Sequence, residues 1–263
     1  MPIITLTTDL GERDIYQAVI KGNILKLLPT ANIVDITNSV SAFNIQQAAF
    51  ILKNSFYYFP ELTVHLIGVD TVNNTDTRYL AVKYKNHYFV GADNGIFSLM
   101  FDDEPEEIVE LNLDQDFKFL HFPLADIFVK ASCHLAQHGA MSDIGLPVSG
   151  FEKKMNLQPV IEKNLIKGGV IFIDSYQNVI TNITKDFFSK VQNGRRFRLS
   201  FKRNETIDQL SWHYNEVPEG EKLCLFGISN HLEIAINKGN ASGLLGLGLG
   251  DSVIIEFFDT QEI

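Results

Sequence analysis

The sequence predicts two domains of different class: an α/β N-terminal domain built on a mostly parallel sheet over residues 1–154, and a smaller C-terminal all-β barrel or sandwich over 168–263, joined by a linker at 155–167. Three observations predict it. The first 70 residues alternate strand, helix, strand, helix, strand, the pattern that lays parallel strands side by side under covering helices. Beyond residue 168 come several short strands separated by turn residues, with no long helix among them. Between the two, 151–167 holds Lys153, Lys154, Pro159, Glu162, Lys163 and Asn164 without sustained periodicity, the composition of a connector.

The first strand is the apolar run of Ile3, Ile4 and Leu6 with β-branched Thr5, Thr7 and Thr8, bounded by Gly11. Asp14 then starts a helix whose Ile15, Val19, Ile24, Leu25 and Leu28 share a broad face, and Pro29 follows its end. Residues 33–36 form the second strand. Asn44 caps the next helix, with Ile45, Ala48, Ala49, Ile51, Leu52 and Phe56 inward, and 63–69 is the third strand. A polar loop at 71–77 leads to Arg78 and a hairpin of 79–84 with 88–90, then a turn at 91–95, a short helix at 96–101, a strand at 108–111 and a helix at 126–136. In the second domain the strands fall at 169–173, 179–183, 197–201, 223–226, 232–236 and 252–258.

Composition limits the partners. The chain has 263 residues, 45% of them hydrophobic and 21% charged, the balance of a globular protein with a sizeable core. A net charge of −10 argues against a nucleic-acid partner. The densest basic patch, Arg195, Arg196, Arg198, Lys202 and Arg203, alternates with Phe197, Leu199 and Phe201 and reads as the solvated face of a strand. No apolar run is long enough to span a bilayer, and no basic segment precedes an apolar one at the N-terminus, so a cytoplasmic protein with no membrane partner is expected. Cys133 and Cys224 form no CxxC and imply neither a disulfide framework nor zinc. His134 and His138 stand four apart on a predicted helix, but no Glu follows His134 and no third ligand is near, so no metal site is expected. Gly246, Gly248 and Gly250 precede a strand instead of opening a helix, which makes them turn residues and not a nucleotide loop.

No nucleophile elbow, P-loop or dinucleotide fingerprint is present. What remains is a set of polar turns: Asp9; Asp70 with Arg78; Asp93 and Asn94; 174–182 (DSYQNVITN); and 229–241 (SNHLEIAINKGNA). Asp9 and Asp70 each follow a strand, at the edge where open α/β sheets bind ligands, and a carboxylate there can accept two hydrogen bonds from a sugar diol. The plainer reading of Asp9 is a turn closer or helix cap.

Taken in order, TLTTDLG at 5–11, NIVDIT at 32–37, NIQQAAFIL at 44–52, GADNGIFS at 91–98, DSYQNVITNI at 174–183 and LEIAINKGNAS at 232–242 resemble the S-adenosylmethionine (SAM) hydroxide adenosyltransferases, relatives of the SAM-dependent fluorinase and chlorinase. The resemblance implies an α/β domain followed by a β barrel, assembled as a homotrimer with SAM between the two domain types of adjacent subunits. It implies hydrolysis of SAM at the ribose C5′ to adenosine and L-methionine, with no metal or redox cofactor. By the same resemblance Asp9 binds the ribose hydroxyls. Asn178 faces adenine beside the Asn240 and Ala241 backbone, and Tyr176 stacks on the base. Asp174 meets the methionine amino group, Ser229 and Asn230 its carboxylate, and Asp70 with Arg78 positions water.

The sequence departs from the family where the family places its catalytic residues. Thr77 stands at the family's Arg position, with Arg78 adjacent, and in 121–128 (HFPLADIF) Pro123 replaces a His and Ala125 an Arg. Proline has no proton acceptor to hold water, and His121 lies two residues away. Leu124 supplies no polar group for a halide, which argues against halogenation. Gln177 replaces a Gly in the adenine turn. Two alternatives to hydrolysis follow: a protein that keeps the SAM or adenosine pocket without turnover, and a scaffold that has lost both.

Overall fold

The computed structural model describes residues 1–71, 77–202 and 205–258, which form two compact units, Met1–Met155 and Asn156–Ile263. Most of the loop at 71–77, and Arg203 of the basic patch, lie outside the described residues.

In the first unit the order is β1 (Ile3–Thr8), α1 (Tyr16–Leu27), β2 (Asn32–Thr37), α2 (Ile45–Lys53), β3 (Val64–Gly68), β4 (Tyr79–Tyr84), β5 (His87–Ala92), α3 (Ile96–Met100), β6 (Glu107–Leu111), α4 (Ile127–Ala136) and β7 (Gly145–Pro147). The strands form one sheet in the order β2-β1-β3-β5-β4-β6-β7. Pairing is parallel from β2 to β5 and antiparallel from β5 to β7, so the expected mostly parallel sheet is in fact mixed. The tight turn at Lys85 and Asn86, both at positive φ, makes β4 and β5 an antiparallel hairpin, and β6 and β7 are each added antiparallel to the neighbouring strand.

Period-two alternation divides the core between the sheet faces. Leu66 and Ala81 pack with Ile20, Ile24 and Phe128 under α1 and α4, while Ile67, Leu80 and Val82 pack with Leu52, Phe97 and Phe101 under α2 and α3. One polar chain of two links crosses this interior. Thr5 Oγ1 lies 2.8 Å from His65 Nδ1, and His65 Nε2 lies 3.1 Å from His87 Nδ1. Burial, and then the neighbouring His87, push the His65 imidazole down to about 3, so it is neutral in the fold. Asn44 caps α2 by accepting from Gln47 N–H at 3.0 Å, as expected. Asp14 does not start α1, which begins at Tyr16 after Ile15 and has no side-chain cap.

The second unit comprises β8 (Val160–Glu162), β9 (Leu165–Ile173), β10 (Val179–Thr184), α5 (Lys185–Gln192), β11 (Arg196–Phe201), β12 (Glu205–Ile207), β13 (Lys222–Phe226), β14 (His231–Ile236), α6 (Ala241–Leu245) and β15 (Ser252–Phe258). The main path is β12-β11-β15-β9-β10-β14-β13, antiparallel throughout, with β8 paired to β9. A bridge from Leu210 to Cys224 on β13 draws its two ends together into a nearly closed barrel. Its core holds Val170, Ile183, Phe188, Leu199, Ile234 and Phe257. The stretch 155–167, read as linker, contains β8 and the first turn-proximal residues of β9, hydrogen-bonded as a hairpin about Lys163 at positive φ. The short helix α5, capped by Thr184 accepting from Phe187 N–H, was not anticipated among the strands.

Candidate active site

Direction in the first sheet collects the polar turns at one edge. Strands β1, β3 and β5 run parallel, so the residues after them, Asp9, Asp70 and Asp93, emerge on the same side, and β4, which runs back, starts there at Arg78. Asp9 is joined to this edge by its side chain: Oδ2 accepts from Phe43 N–H at 2.9 Å and from Asp70 N–H at 3.4 Å. Both bonds fall on one oxygen, both donors are backbone, and no ion pair to this carboxylate exists among the described residues. The turn-closing and cap readings of Asp9 do not hold: its side chain bonds to distant segments, α1 is preceded by Ile15, and the carboxylate keeps acceptor capacity.

Phe43 is a residue that sequence reasoning missed. It sits at φ 64°, a left-handed conformation that costs an L-residue about 1–2 kcal/mol, its N–H donates to Asp9, and the residue is 73% exposed. Its setting, SAFN ahead of a helix cap, carries no signal of this.

Asp70 is itself left-handed, φ 49°, and Asn94 Nδ2 donates to the carbonyls of Val69 (3.0 Å) and Asp70 (2.9 Å), fixing the strand end. Arg78 is spoken for elsewhere. Its guanidinium is ion-paired with the buried Asp93 carboxylate, lies 3.6 Å from Glu110 and donates to the Gly150 carbonyl at 3.4 Å. No hydrogen bond or ion pair among the described residues joins it to Asp70. The 122–125 segment is pinned to α1 by the edge contact of Phe122 on Tyr16, 5.4 Å between centroids, and by Asn23 Nδ2 donating to Ala125 O at 2.8 Å. Pro123 and Leu124 are buried and His121 is exposed. Leu124 fills the space over Gly68, where an added Cβ would lie 2.4 Å from Leu124 Cδ2 and 3.1 Å from Thr8 Cγ2.

In the barrel unit the 174–178 turn closes on itself. Asp174 Oδ1 accepts from Asn178 N–H at 2.8 Å and Oδ2 from Asn178 Nδ2 at 3.0 Å, while Asp174 N–H donates to the Asn178 carbonyl at 3.1 Å. Gln177 has φ 68°, so the turn keeps the left-handed residue that a glycine supplies without strain. Tyr176 is 81% exposed. The Gln177 carbonyl accepts from Ser242 N–H at 2.9 Å, bringing the turn to the start of α6, where Asn240 Oδ1 caps the helix by accepting from Gly243 N–H. The Asn240 side chain is thereby used, and Ala241 is buried. Ser229 and Asn230 form a separate turn, Asn230 at φ 60°, whose carbonyl accepts from Lys185 N–H at 2.9 Å.

A second residue not singled out from the sequence is Glu233 on β14. It is 6% exposed, and Tyr214 Oη donates to its Oε1 at 2.7 Å. Burial first, and then the Asp174 charge, raise its carboxyl above the ordinary range against the lowering effect of the Tyr214 bond. Elsewhere, burial pushes the Cys133 thiol up to about 11 and the Cys224 thiol up to about 12, so both are inert. His134 Nε2 sits 3.0 Å from the Ala140 carbonyl, and no cluster of three metal-ligating side chains exists among the described residues.

Comparison with known proteins places this geometry. The family profile of the SAM hydroxide adenosyltransferase N-terminal domain matches residues 4–145, and that of the SAM hydroxide adenosyltransferase C-terminal domain matches 168–254. The chain is 27% identical to a (R)-S-adenosyl-L-methionine hydrolase of Methanocaldococcus jannaschii, covering 97% of this chain and 96% of the relative. It is 28% identical to another of that name from Thermus thermophilus, covering 92% and 95%. A crystal structure described as an uncharacterized conserved protein from Thermotoga maritima superposes with a TM-score of 0.86 at 30% identity, covering 96% of this chain and 99% of that one.

Proposed function

The chain belongs to the SAM hydroxide adenosyltransferase family, and from that premise we propose that it binds SAM and hydrolyses it to adenosine and L-methionine. The observation that carries the reading is the Asp9 carboxylate, fixed by the Phe43 and Asp70 backbone at the carboxyl edge of the sheet and left with acceptor capacity for a ribose diol. Phe43 gives an apolar wall beside the sugar. In the barrel unit Asn178 and Tyr176 serve adenine, with the Asn240 and Ala241 backbone alongside; Asp174 serves the ammonium, and Ser229 and Asn230 the carboxylate. A homotrimer in which the two kinds of unit meet across subunits supplies both halves to one substrate.

In the reaction a water oxygen forms a bond to C5′ as the C5′–S bond breaks, its electron pair going to the sulfonium sulfur, and the water loses a proton to solvent or to Asp70. The sulfonium leaves readily, so orientation and partial desolvation of the water are the protein's main contributions. Asp70 is the water-facing group of this scheme. Arg78, occupied by Asp93 and Glu110, orders the edge around it. The scheme needs no metal or redox cofactor. No described helix is long and apolar enough to cross a membrane, and the acidic balance suits a small-molecule substrate in a cytoplasmic setting better than nucleic acid.

A second reading has its own observation: the apolar Leu124 over Gly68, with Pro123 beside it, favours a SAM- or adenosine-binding protein without turnover. Incubation with SAM, followed by mass-detected chromatography of adenosine and L-methionine against an Asp70→Ala control, decides. Products that vanish in the control establish hydrolysis; intact SAM that nonetheless binds in calorimetry establishes the second reading.

A further inference from the structure

Glu233 lies on β14 opposite Leu225 of β13 and Ile180 of β10, so its side chain stands on the same sheet face as these two neighbours. Asn178, two residues before Ile180, directs its side chain to Asp174. Tyr214 covers this face and ties Glu233 by the 2.7 Å bond to Oε1. The other oxygen packs close to the backbone: a Cβ on Gly227 would lie 2.7 Å from Glu233 Oε2 and would displace it. A buried carboxyl is costly unless it is paired, and no cation pairs with this one among the described residues. The charged and titratable groups around it are Tyr214 and Asp174, together with His231, two residues back on the same strand, whose Nδ1 lies 2.7 Å from the Ser229 carbonyl.

We propose that Glu233, held by Tyr214, is a positioning residue that acts through Asp174, so that a cationic ammonium group on the substrate is preferred over a neutral one. This rests on the reading of Asp174 as the ammonium contact. The Asp174 charge disfavours a second charge on Glu233 while the site is empty, and a cation received by Asp174 removes that penalty. The buried partner then ionises on binding and releases its proton to solvent. The raised carboxyl of Glu233 agrees with the empty state of this cycle.

The test is calorimetric, on the full chain, with SAM and with its analogue lacking the α-amino group; binding is read whether or not turnover is fast. Glu233→Gln keeps an acceptor for the Tyr214 hydroxyl and removes only the charge. Its dissociation constant for SAM should rise about tenfold, about 1.4 kcal/mol, with the deaminated analogue unchanged. In mildly acidic buffers of different ionisation enthalpy the parent protein should release protons on binding SAM and the variant should not. A loss equal for both ligands, or proton release that survives Glu233→Gln, overturns the proposal. Should that variant fail to fold, Tyr214→Phe makes the same test, since Tyr214 is 44% exposed and loses only its hydroxyl; a SAM-selective loss is again required. Asp174→Asn separates the two levels. If it weakens SAM and the analogue alike, the ammonium reading fails; if it is SAM-selective and Glu233→Gln is not, only the role of Glu233 fails.

Discussion

In the barrel unit the polar residues expected to hold the nucleoside are bonded to one another, Asp174 to Asn178 and the Gln177 carbonyl to the start of α6. In the α/β unit the two groups expected to position water go separate ways, Arg78 to Asp93 and Glu110 and Asp70 to Asp9 and Asn94, while Pro123 and Leu124 are buried. The difference teaches that, on the proposed reading, the barrel turn that meets the nucleoside is supported by its own bonds, whereas the sheet edge that meets water is held by partners drawn from several elements.

The sharpest way to break this contrast is Asp9→Ala. If the α/β unit contributes to recognition at all, losing both ribose bonds should weaken SAM binding about 100-fold, about 2.7 kcal/mol, by calorimetry. An unchanged affinity would assign recognition to the barrel alone.

Acid should separate the units next. The folded-state pKa of His65, about 3, is below its unfolded value of about 6.5. Its contribution is therefore fully present above about pH 6.5 and declines as pH falls toward the folded value. Near pH 5 the cost is about 2 kcal/mol, which should lower the melting temperature by several degrees. Circular dichroism melts should show this decline, and His65→Gln should flatten it between about pH 6.5 and 5. Loss of barrel signals ahead of α/β signals on acidification would contradict it.

A smaller effect is expected where chemistry was altered. Pro123→His introduces an imidazole next to Leu124 and should raise the adenosine-forming rate about tenfold, short of the roughly 100-fold at which full general-base assistance begins, with little change in affinity. An unaltered rate would show that Pro123 does not limit turnover. The smallest change is Gln177→Gly. Relief of the left-handed strain should stabilise the barrel by about 0.5–1 kcal/mol in thermal melts and leave SAM affinity intact. A fall in affinity would mean that the Gln177 side chain itself touches the ligand.

Much of this was legible in the residues. Strand ends carrying Asp9 and Asp70 follow from apolar runs cut short by polar turns, and the Asn44 cap follows from its place ahead of an apolar face. The mixed sheet is less legible, because the hairpin at 79–90 makes only β4 and β5 antiparallel and the senses of β6 and β7 follow from long connections with no local signal. The helix α5 escaped because eight residues give barely two turns of period, leaving Thr184 as its one local signal. The Arg78–Asp93 pair was hidden for a different reason. Both residues had been noted, but only the pairing of β4 with β5 brings positions 15 apart face to face. Phe43 and Glu233 were overlooked because exposure and burial, which make them noteworthy, are properties of the fold and not of residue type.

The bridge from Leu210 to Cys224 near the ends of the barrel path limits how much backbone is open to another molecule. A nearly closed sheet offers little free backbone for strand addition, so contacts made by the barrel must come from its loops and side chains. The α/β sheet differs, ending in β2 on one side and in the three-residue β7, which contains Pro147, on the other. Proline denies β7 a donor, which leaves the six residues of β2 as the longer template for sheet extension between molecules. Concentrated protein that begins to aggregate should therefore do so through β2, and a charge or proline placed on that strand is the gatekeeper that would suppress it.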